Sequence, residues 1–176
     1  MSDLEFILYE INRYFFEISL DAHKKASLHL VGHEYVATPI SFFVNFLNII
    51  KGRESIQNKR FIDVGSGVGN ICAVANRWGF SVEGIELNPI LYNIACQLHP
   101  NVKTHNIDIR DFNSYENYDV IYYFLPFYDE NLQKELKEKI ENRCKIGTYI
   151  IVYVSEDKDD RFVNIHDKKI WQKIRE

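Results

Sequence analysis

Short apolar runs alternate with amphipathic segments along most of the chain. The runs predicted as strands are rich in β-branched and aromatic residues and lie at residues 61–64, 80–86, 101–108, 118–124 and 148–154. Segments with helical periodicity follow three of them, at residues 68–78, from Pro89 onward and at residues 130–142. Such alternation is typical of an α/β fold whose parallel sheet is covered by helices on both faces.

The two ends of the chain add further elements to this pattern. Residues 1–51 are predicted to form an N-terminal extension with two amphipathic helices, one over residues 3–19 and one opened by Pro39. Residues 52–176 are predicted to form the core, and the whole chain to be one compact domain. Near the end, residues 161–165 and 169–174 are expected to pair as antiparallel strands, with a terminal helix as the weaker alternative.

A glycine-rich turn joins the first strand to the helix that follows it. Gly65, Gly67 and Gly69 alternate there with Ser66 and Val68. Glycine suits such a turn because it adopts positive φ and because its missing Cβ lets a ligand approach the backbone. The start of the next helix offers unpaired N–H groups and a positive dipole end. The turn is therefore predicted to bind a carboxylate or phosphate of a cofactor.

The spacing of these glycines separates two cofactor classes. A dinucleotide fingerprint, G-x-G-x-x-G, would require glycine where this chain has Asn70. The strand also carries an acidic residue, Asp63, where dinucleotide-binding folds usually have an apolar one. A nicotinamide-dependent oxidoreductase is therefore a disfavoured alternative.

Residues with useful chemistry follow the next strands. Glu86 lies roughly 20 residues after the turn, where nucleoside-binding folds place the acid that binds ribose hydroxyls; a solvated strand-end acid is its alternative role. Asp108 ends the third strand in a turn-rich segment, so a turn or N-cap aspartate is its alternative. The fourth strand runs into Leu125-Pro126-Phe127-Tyr128. Since the carboxyl ends of parallel strands share one edge, these positions are expected to surround one crevice.

The run Asp63-Val64-Gly65-Ser66-Gly67-Val68-Gly69 resembles motif I of the class I S-adenosylmethionine-dependent methyltransferases. The segment from Tyr35 to Pro39, the run from Glu86 to Pro89 and the strand from Tyr118 are similar to those of small protein-lysine methyltransferases, a group that includes the ATP synthase c-subunit lysine methyltransferase. The resemblance covers residues 32–154. It implies a doubly wound, seven-stranded, mostly parallel Rossmann-like sheet. Val68 departs from this group, which usually has an acidic residue there.

The resemblance also implies a cofactor, S-adenosyl-L-methionine, and the residues that contact it. The Thr or Tyr of the Tyr35 to Pro39 segment would bond the methionine carboxylate, and Asp108 would accept from the adenine amino group. The implied cofactor-binding residues are Tyr35, Thr38, Asp63, Gly65, Ser66, Gly67, Gly69, Glu86, Leu87, Asp108, Ile109 and Phe124. Pro126, Phe127 and Tyr128 would form the loop that aligns the methyl acceptor.

The acceptor itself is less closely defined by the sequence. Phe124-Leu125-Pro126-Phe127 lacks the polar residue with which N6-adenine and N4-cytosine methyltransferases bind their target amine, so a base amine is disfavoured. An aromatic-lined mouth, with Tyr123 and Tyr128, would suit a lysine side chain. The prediction is a protein-lysine methyltransferase. The alternatives are an RNA, DNA or small-molecule methyltransferase and a non-catalytic S-adenosylmethionine-binding regulatory protein.

Composition narrows these alternatives only slightly. With 176 residues, 46% of them hydrophobic, the chain can bury one sizeable core. A net charge of −4 provides no global field that attracts nucleic acid, so a macromolecular acceptor is expected to be a protein. Three cysteines without C-x-x-C spacing and six scattered histidines predict no metal site. The apolar runs are too short for a membrane span and no signal-peptide pattern is visible, so cytoplasmic location is expected.

Overall fold

The computed structural model describes residues 38–176 together with Arg13, Tyr14 and Glu17. A seven-stranded sheet forms its centre. The strands are β1 (Arg60–Val64), β2 (Ser81–Ile85), β3 (Lys103–His105), β4 (Val120–Tyr123), β5 (Tyr149–Val152), β6 (Phe162–His166) and β7 (Ile170–Lys173). Their order is β3-β2-β1-β4-β5-β7-β6, with β7 antiparallel to both of its neighbours and the pairs from β3 to β5 parallel. The predicted seven-stranded, mostly parallel α/β sheet is confirmed.

Four helices of the described region connect or flank these strands. They are α1 (Ile40–Lys51), α2 (Asn70–Trp78), α3 (Pro89–Leu98) and α4 (Glu130–Arg143). Local sequence explains where they begin. The side chain of Asn88 accepts from the backbone N–H groups of Ile90 and Leu91 at the start of α3, and Asp129 caps α4 in the same way. Proline at position 89 suits the first turn because its missing N–H would have no helical partner.

The sheet separates two hydrophobic clusters, because successive strand residues point to opposite faces. Phe61 and Tyr122 lie in the cluster with α1 and α2, whereas Ile62 and Tyr123 lie in the cluster with α4. The side chains that α1 buries are Ile40, Phe43, Phe46, Leu47 and Ile50. Each fully buried large apolar side chain contributes about 1.5–3 kcal/mol of transfer free energy. Phe42, on the same helix, is instead 46% exposed.

Element boundaries differ from the predictions mainly at β3. The predicted strand spans residues 101–108, but only Lys103–His105 pairs with β2. The strand ends early because the side chain of Asn106 turns toward the β2 end and Asp108 begins a turn. The predicted C-terminal pair is confirmed as β6 and β7. The tight turn between them has positive φ at Asp167 and Lys168. This conformation of a two-residue loop matches the right-handed twist of the strands that it joins.

Of the two helices predicted for the N-terminal extension, the structure describes mainly the second. Its first helix, residues 3–19, lies outside the described residues except for three helical positions, where Arg13 and Glu17 form an ion pair at 3.3 Å. Its second helix is α1, which packs into the same cluster as α2. The division of the chain at residue 51 stays a prediction. In the part of the chain that the structure describes, no helix is long and apolar enough to cross a membrane.

Strand β2 passes unusually close to the turn after β1. A Cβ atom at Gly84 would lie 2.8 Å from Ser66 Oγ and 3.1 Å from Cys72 Sγ, closer than packed atoms normally approach. Glycine at this position therefore lets β2, the turn and α2 pack directly against one another.

We expect Gly84→Ala to lower the free energy of unfolding by about 1–3 kcal/mol, because the added methyl group overpacks this contact. The control is Gly52→Ala, which follows α1 at φ −67° and whose Cβ would meet no atom closer than 3.4 Å. Urea unfolding of both variants measures the difference. Equal midpoints for the two variants would contradict the prediction.

Candidate functional site

The turn after β1 has a backbone that only glycine adopts easily. Gly65, Gly67 and Gly69 have φ values of 85°, 55° and 80°. The N–H groups of Gly65 and Ser66 both donate to the carbonyl of Ile85, at 3.0 and 2.8 Å. The turn that leaves β1 is therefore anchored to the last residue of β2.

The carboxylate of Glu86 completes this anchor. Its Oε2 accepts from the N–H of Gly67 at 2.8 Å, and its Oε1 accepts from the N–H of Asn88 at 2.7 Å. The residue is 9% exposed, so these charge-assisted bonds form in a largely dry environment. Glu86 is thus fixed between the glycine turn and the start of α3.

Asn106 ties the end of β3 to the same point. Its Nδ2 donates to the carbonyls of Glu86 and Leu87, at 2.9 and 3.0 Å, and the N–H of Glu86 donates to the carbonyl of His105 at 3.0 Å. Asn106 was not among the residues predicted from the sequence. An asparagine directly after a strand is a usable signal, because one amide group can donate to two carbonyls at once.

The loop after β4 reaches the turn from the other side. A Cβ atom at Gly65 would lie 3.4 Å from Cβ of Pro126, which is van der Waals contact. Leu125, just before this proline, has φ 36°, in the left-handed region that most side chains avoid. The structure therefore brings Gly65, Glu86 and Pro126 together at the carboxyl ends of β1, β2 and β4.

A family model described as a methyltransferase domain matches residues 33–160 of this chain. That range includes the glycine turn, Glu86 and the loop around Pro126. The chain belongs to the methyltransferase domain family. The expectation of a methyltransferase is thereby confirmed. No curated protein sequence matches this chain.

Solved structures share the fold of this methyltransferase. An RNA methyltransferase from Salinibacter ruber, in complex with S-adenosyl-L-homocysteine, aligns with a TM-score of 0.58 and 19% identity over 79% of this chain and 92% of its own. Thermoplasma acidophilum 1320 gives 0.54 and 20%, over 77% and 70% of the two chains. Haemonchus contortus phosphoethanolamine N-methyltransferase 2, in complex with S-adenosyl-L-methionine, gives 0.51 and 19%, over 62% of this chain and 27% of its own.

Asp63 is a buried acid in the strand that leads into the turn of this methyltransferase. It is 2% exposed, and Cys72 Sγ donates to its Oδ2 at 3.7 Å. Burial raises the pKa of Asp63 to about 8; the hydrogen bond from Cys72 opposes the shift and the nearby Glu86 carboxylate adds to it. A cation placed beside these two carboxyls would favour their charged forms.

The segment before α1 contributes Thr38. This residue is 4% exposed, and its hydroxyl is hydrogen-bonded to the hydroxyl of Tyr122, which pairs with Asp63 in the register of β4 and β1. Thr38 therefore contacts β4 at the strand pair that carries Asp63. Tyr35, the other predicted residue of this segment, lies outside the described residues.

Asp108 lies in the turn after β3 and forms an ion pair with Arg110. Arg110 Nη2 lies 2.5 Å from Asp108 Oδ2, its Nε lies 3.0 Å from both carboxylate oxygens, and its backbone N–H donates at 2.8 Å. These bonds lower the pKa of Asp108, so the carboxylate stays charged. The neighbouring Ile109 is 7% exposed, whereas Leu87 beside Glu86 is 38% exposed. The predicted adenine contacts of these residues stay predictions.

Two buried polar atoms, one in the glycine turn and one at the start of α2, have no hydrogen-bond partner within the described part of the chain. They are Ser66 Oγ and Asn70 Nδ2. Asn70 Oδ1 accepts from the N–H of Ile71 at 3.0 Å, which leaves the amide donor in the first turn of α2. A buried donor at a helix N-terminus suits an anionic group. In the sequence, Asn70 indicated only that the glycine spacing does not match a dinucleotide fingerprint. Its unpaired, buried amide donor was not predicted.

The aromatic residues around Pro126 differ in exposure. Tyr128 is 60% exposed, and Phe124 is half-buried with its ring centroid 4.5 Å from that of Tyr153. Phe127 and Tyr123 are 7% and 1% exposed and belong to the cluster with α4. Of these four, Phe124 and Tyr128 therefore reach the surface at the predicted acceptor loop.

A buried lysine connects the end of β4, which leads into the Pro126 loop, with α4 and the segment after β5. The side chain of Lys158 is fully buried, and its ammonium pairs with Glu141 on α4 at 2.6 Å and with Glu156 after β5. The hydroxyl of Tyr123 donates to Glu156 at 2.7 Å. The network connects β4, α4 and the segment after β5, and removal of one partner from such a buried pair typically costs about 3–5 kcal/mol.

The buried carboxyl of Asp63 predicts an unusual pH dependence of stability. Its pKa is raised from 3.8 to about 8, so between these values the folded chain holds a proton that the unfolded chain releases. The free energy of unfolding is therefore expected to fall as pH rises from about 4 to 8, by at most about 1.4 kcal/mol per pH unit.

Urea unfolding of the ligand-free protein across this range, compared with Asp63→Asn, measures the contribution. Because all other titratable groups are shared, the difference between the two curves isolates Asp63. We expect the free energy of unfolding of Asp63→Asn to rise relative to that of the wild-type protein as pH rises. Parallel curves would contradict the prediction.

Proposed function

We propose that this protein is an S-adenosylmethionine-dependent methyltransferase that transfers a methyl group to a lysine side chain of a protein acceptor. The observation that carries the proposal is the position of Glu86, whose carboxylate is fixed against the glycine turn. Pro126 lies on the other side of this turn, where a Cβ atom at Gly65 would come within 3.4 Å of its Cβ. A site for a nucleoside and a loop for an acceptor thus share one edge of the sheet.

The residues present fit the cofactor. The N–H groups at the start of α2 and the Asn70 amide would hold the methionine carboxylate. The carboxylate of Glu86 would accept from the ribose hydroxyls, and the charged turn at Asp108 would face the adenine amino group. S-adenosylmethionine is itself cationic at its sulfonium and ammonium groups, which suits the nearby carboxyls of Asp63 and Glu86.

The mechanism depends on alignment more than on proton transfer. The bound cofactor supplies an activated methyl group on a sulfonium leaving group. The chain's task is to place the acceptor nitrogen in line with that methyl group and to exclude water. The loop from Leu125 to Tyr128 is suited to this task because Pro126 lies beside Gly65 of the glycine turn, so close that a Cβ atom at Gly65 would be 3.4 Å from its Cβ.

A lysine acceptor fits the chemistry of this loop. The attacking amine must be neutral, and the apolar side chain of Leu125 beside the glycine turn would lower its pKa by desolvation. The exposed ring of Tyr128 would attract the lysine earlier, while its amine is still charged. Exposed Asp129 and Glu130, at the start of α4, would attract a positively charged acceptor segment before it enters.

The cofactor site is tested by calorimetric titration of the full chain with S-adenosylmethionine, S-adenosylhomocysteine and NAD. We expect both sulfur nucleosides to bind and NAD not to bind. Glu86→Gln should weaken binding by about 1.5–3 kcal/mol, because a neutral amide loses the charge-assisted ribose bonds and cannot accept from Gly67 and Asn88 together.

The matched control is Glu138→Gln on the exposed face of α4, where the glutamate side chain is 57% exposed. It should leave the affinity unchanged. Thermal unfolding of both variants shows whether Glu86→Gln still folds. Unaltered affinity in a folded Glu86→Gln protein would contradict the ribose role, and absence of binding by both nucleosides would overturn the proposed function.

The acceptor loop makes a separate prediction. Tyr128→Ala should lower methyl incorporation from radiolabelled S-adenosylmethionine into a host-cell lysate by about two- to fivefold, since an exposed aromatic contact with a cation is worth about that much. Its affinity for S-adenosylhomocysteine should stay unchanged. Ile146→Ala is the control, because Ile146 is also exposed, at 52%, but lies before β5 at the opposite edge of the sheet.

The same labelled lysate identifies the acceptor class. Proteinase digestion should remove the label from large material and ribonuclease should not, and amino-acid hydrolysis should release methylated lysine. Label that ribonuclease removes would instead make RNA the acceptor and would reject the lysine proposal.

A further inference from the structure

Three aromatic rings from separate elements meet beside the acceptor loop. Phe124 follows β4, Tyr153 follows β5 and Phe42 lies in the first turn of α1. The Tyr153 ring is 4.5 Å from Phe124 and 5.8 Å from Phe42, measured between ring centroids. Phe42 is 46% exposed, so the group is open to solvent on one side.

An ammonium group already occupies this aromatic surface. Nζ of Lys169 lies 5.3 Å from the ring centroid of Phe42 and 5.4 Å from that of Tyr153, within the range of cation–π attraction. Lys169 immediately precedes β7, and its carbonyl accepts from the N–H of Val152 at 2.8 Å, next to Tyr153. The backbone of Lys169 is thus fixed while its long side chain spans the rings.

The aromatic surface is close to the predicted path of the methyl group. Phe124 is two residues from Pro126, and two residues span at most about 7 Å. Pro126 lies beside the glycine turn, since a Cβ atom at Gly65 would be 3.4 Å from its Cβ. Phe124 and Tyr153 lie on the face of the sheet that carries α1 and α2. An acceptor side chain that crosses these rings would therefore approach the cofactor turn.

We propose that Phe42, Phe124 and Tyr153 form a binding surface for the ammonium group of the acceptor lysine, and that Lys169 occupies this surface until the acceptor displaces it. The inference rests on the proposed function and assigns its substrate-binding surface. Lys169 shows that the rings of Phe42 and Tyr153 accept an alkylammonium group in this geometry. The acceptor lysine carries the same group and would compete for the same faces.

The test uses the full-length protein and two small probes. Nα-acetyl-lysine methylamide carries the ammonium group, and Nα-acetyl-norleucine methylamide has a similar apolar chain without it. In nuclear magnetic resonance titrations of Lys169→Ala, the lysine probe should shift the amide resonances of Phe42, Phe124 and Tyr153, and the norleucine probe should shift them less. The wild-type protein should bind the lysine probe about two- to fivefold more weakly, because its own lysine competes.

The matched control is Lys168→Ala. Lys168 is the preceding residue, but its ammonium pairs with Asp157 at 2.7 Å. This variant should behave like the wild-type protein. Phe42→Leu, combined with Lys169→Ala, keeps an apolar side chain at an exposed helix position and should reduce the affinity for the lysine probe.

Three results would overturn the inference: equal responses to both probes, equal effects of the Lys168 and Lys169 substitutions, or an affinity that Phe42→Leu leaves unchanged. Titration of the same samples with S-adenosylhomocysteine separates this inference from the proposed function. Nucleoside binding without a response to the lysine probe would reject the aromatic surface alone. Failure of the wild-type protein to bind the nucleoside would reject the proposed function itself.

Discussion

The bond between the Glu86 carboxylate and the N–H of Gly67 is the contact on which the arrangement of the site depends. It joins the turn after β1 to the end of β2, and the second oxygen of the same carboxylate holds the start of α3 through Asn88. The bonds work only because Gly67 can adopt positive φ and expose its N–H toward the acid. Asn106 then adds the end of β3 to the same point. One carboxylate therefore positions the helix start, the turn and the proposed ribose contact.

Among the buried ionisable side chains of the described residues, Lys158 and Asp63 have different surroundings. Lys158 is paired with Glu141 and Glu156. Asp63 has only a weak thiol donor among the contacts described for its carboxyl, and its pKa is raised to about 8. A nearby cation would strongly favour the deprotonated form of such a carboxyl. The ion pairs of Lys158 thus connect elements next to the predicted acceptor loop, while Asp63 lies in the strand that leads to the glycine turn.

The loop proposed to align the acceptor is surrounded by elements that are far apart in sequence. Pro126 lies beside the glycine turn, Tyr123 donates to the buried network that includes α4, and Phe124 contacts Tyr153 on the other face of the sheet. Tyr123 and Phe124 are neighbours in the chain and point to opposite faces of the sheet, so each packs against a different hydrophobic cluster. Because Tyr123 and Phe124 pack into the core on opposite faces of the sheet, the loop that follows them is held from both sides.

The sequence by itself determined the parts of this protein that depend on local physics. Positive φ at Gly65 and capping by Asn88 are properties of a few neighbouring residues, and the alternation of apolar runs predicted the sheet and the edge that carries Glu86. Contacts between distant residues had no such signal. The burial of Asp63 and Lys158, and the meeting of Lys169 with Phe42 and Tyr153, were decided only by the tertiary structure, because burial and ring geometry depend on which elements pack together and not on spacing along the chain.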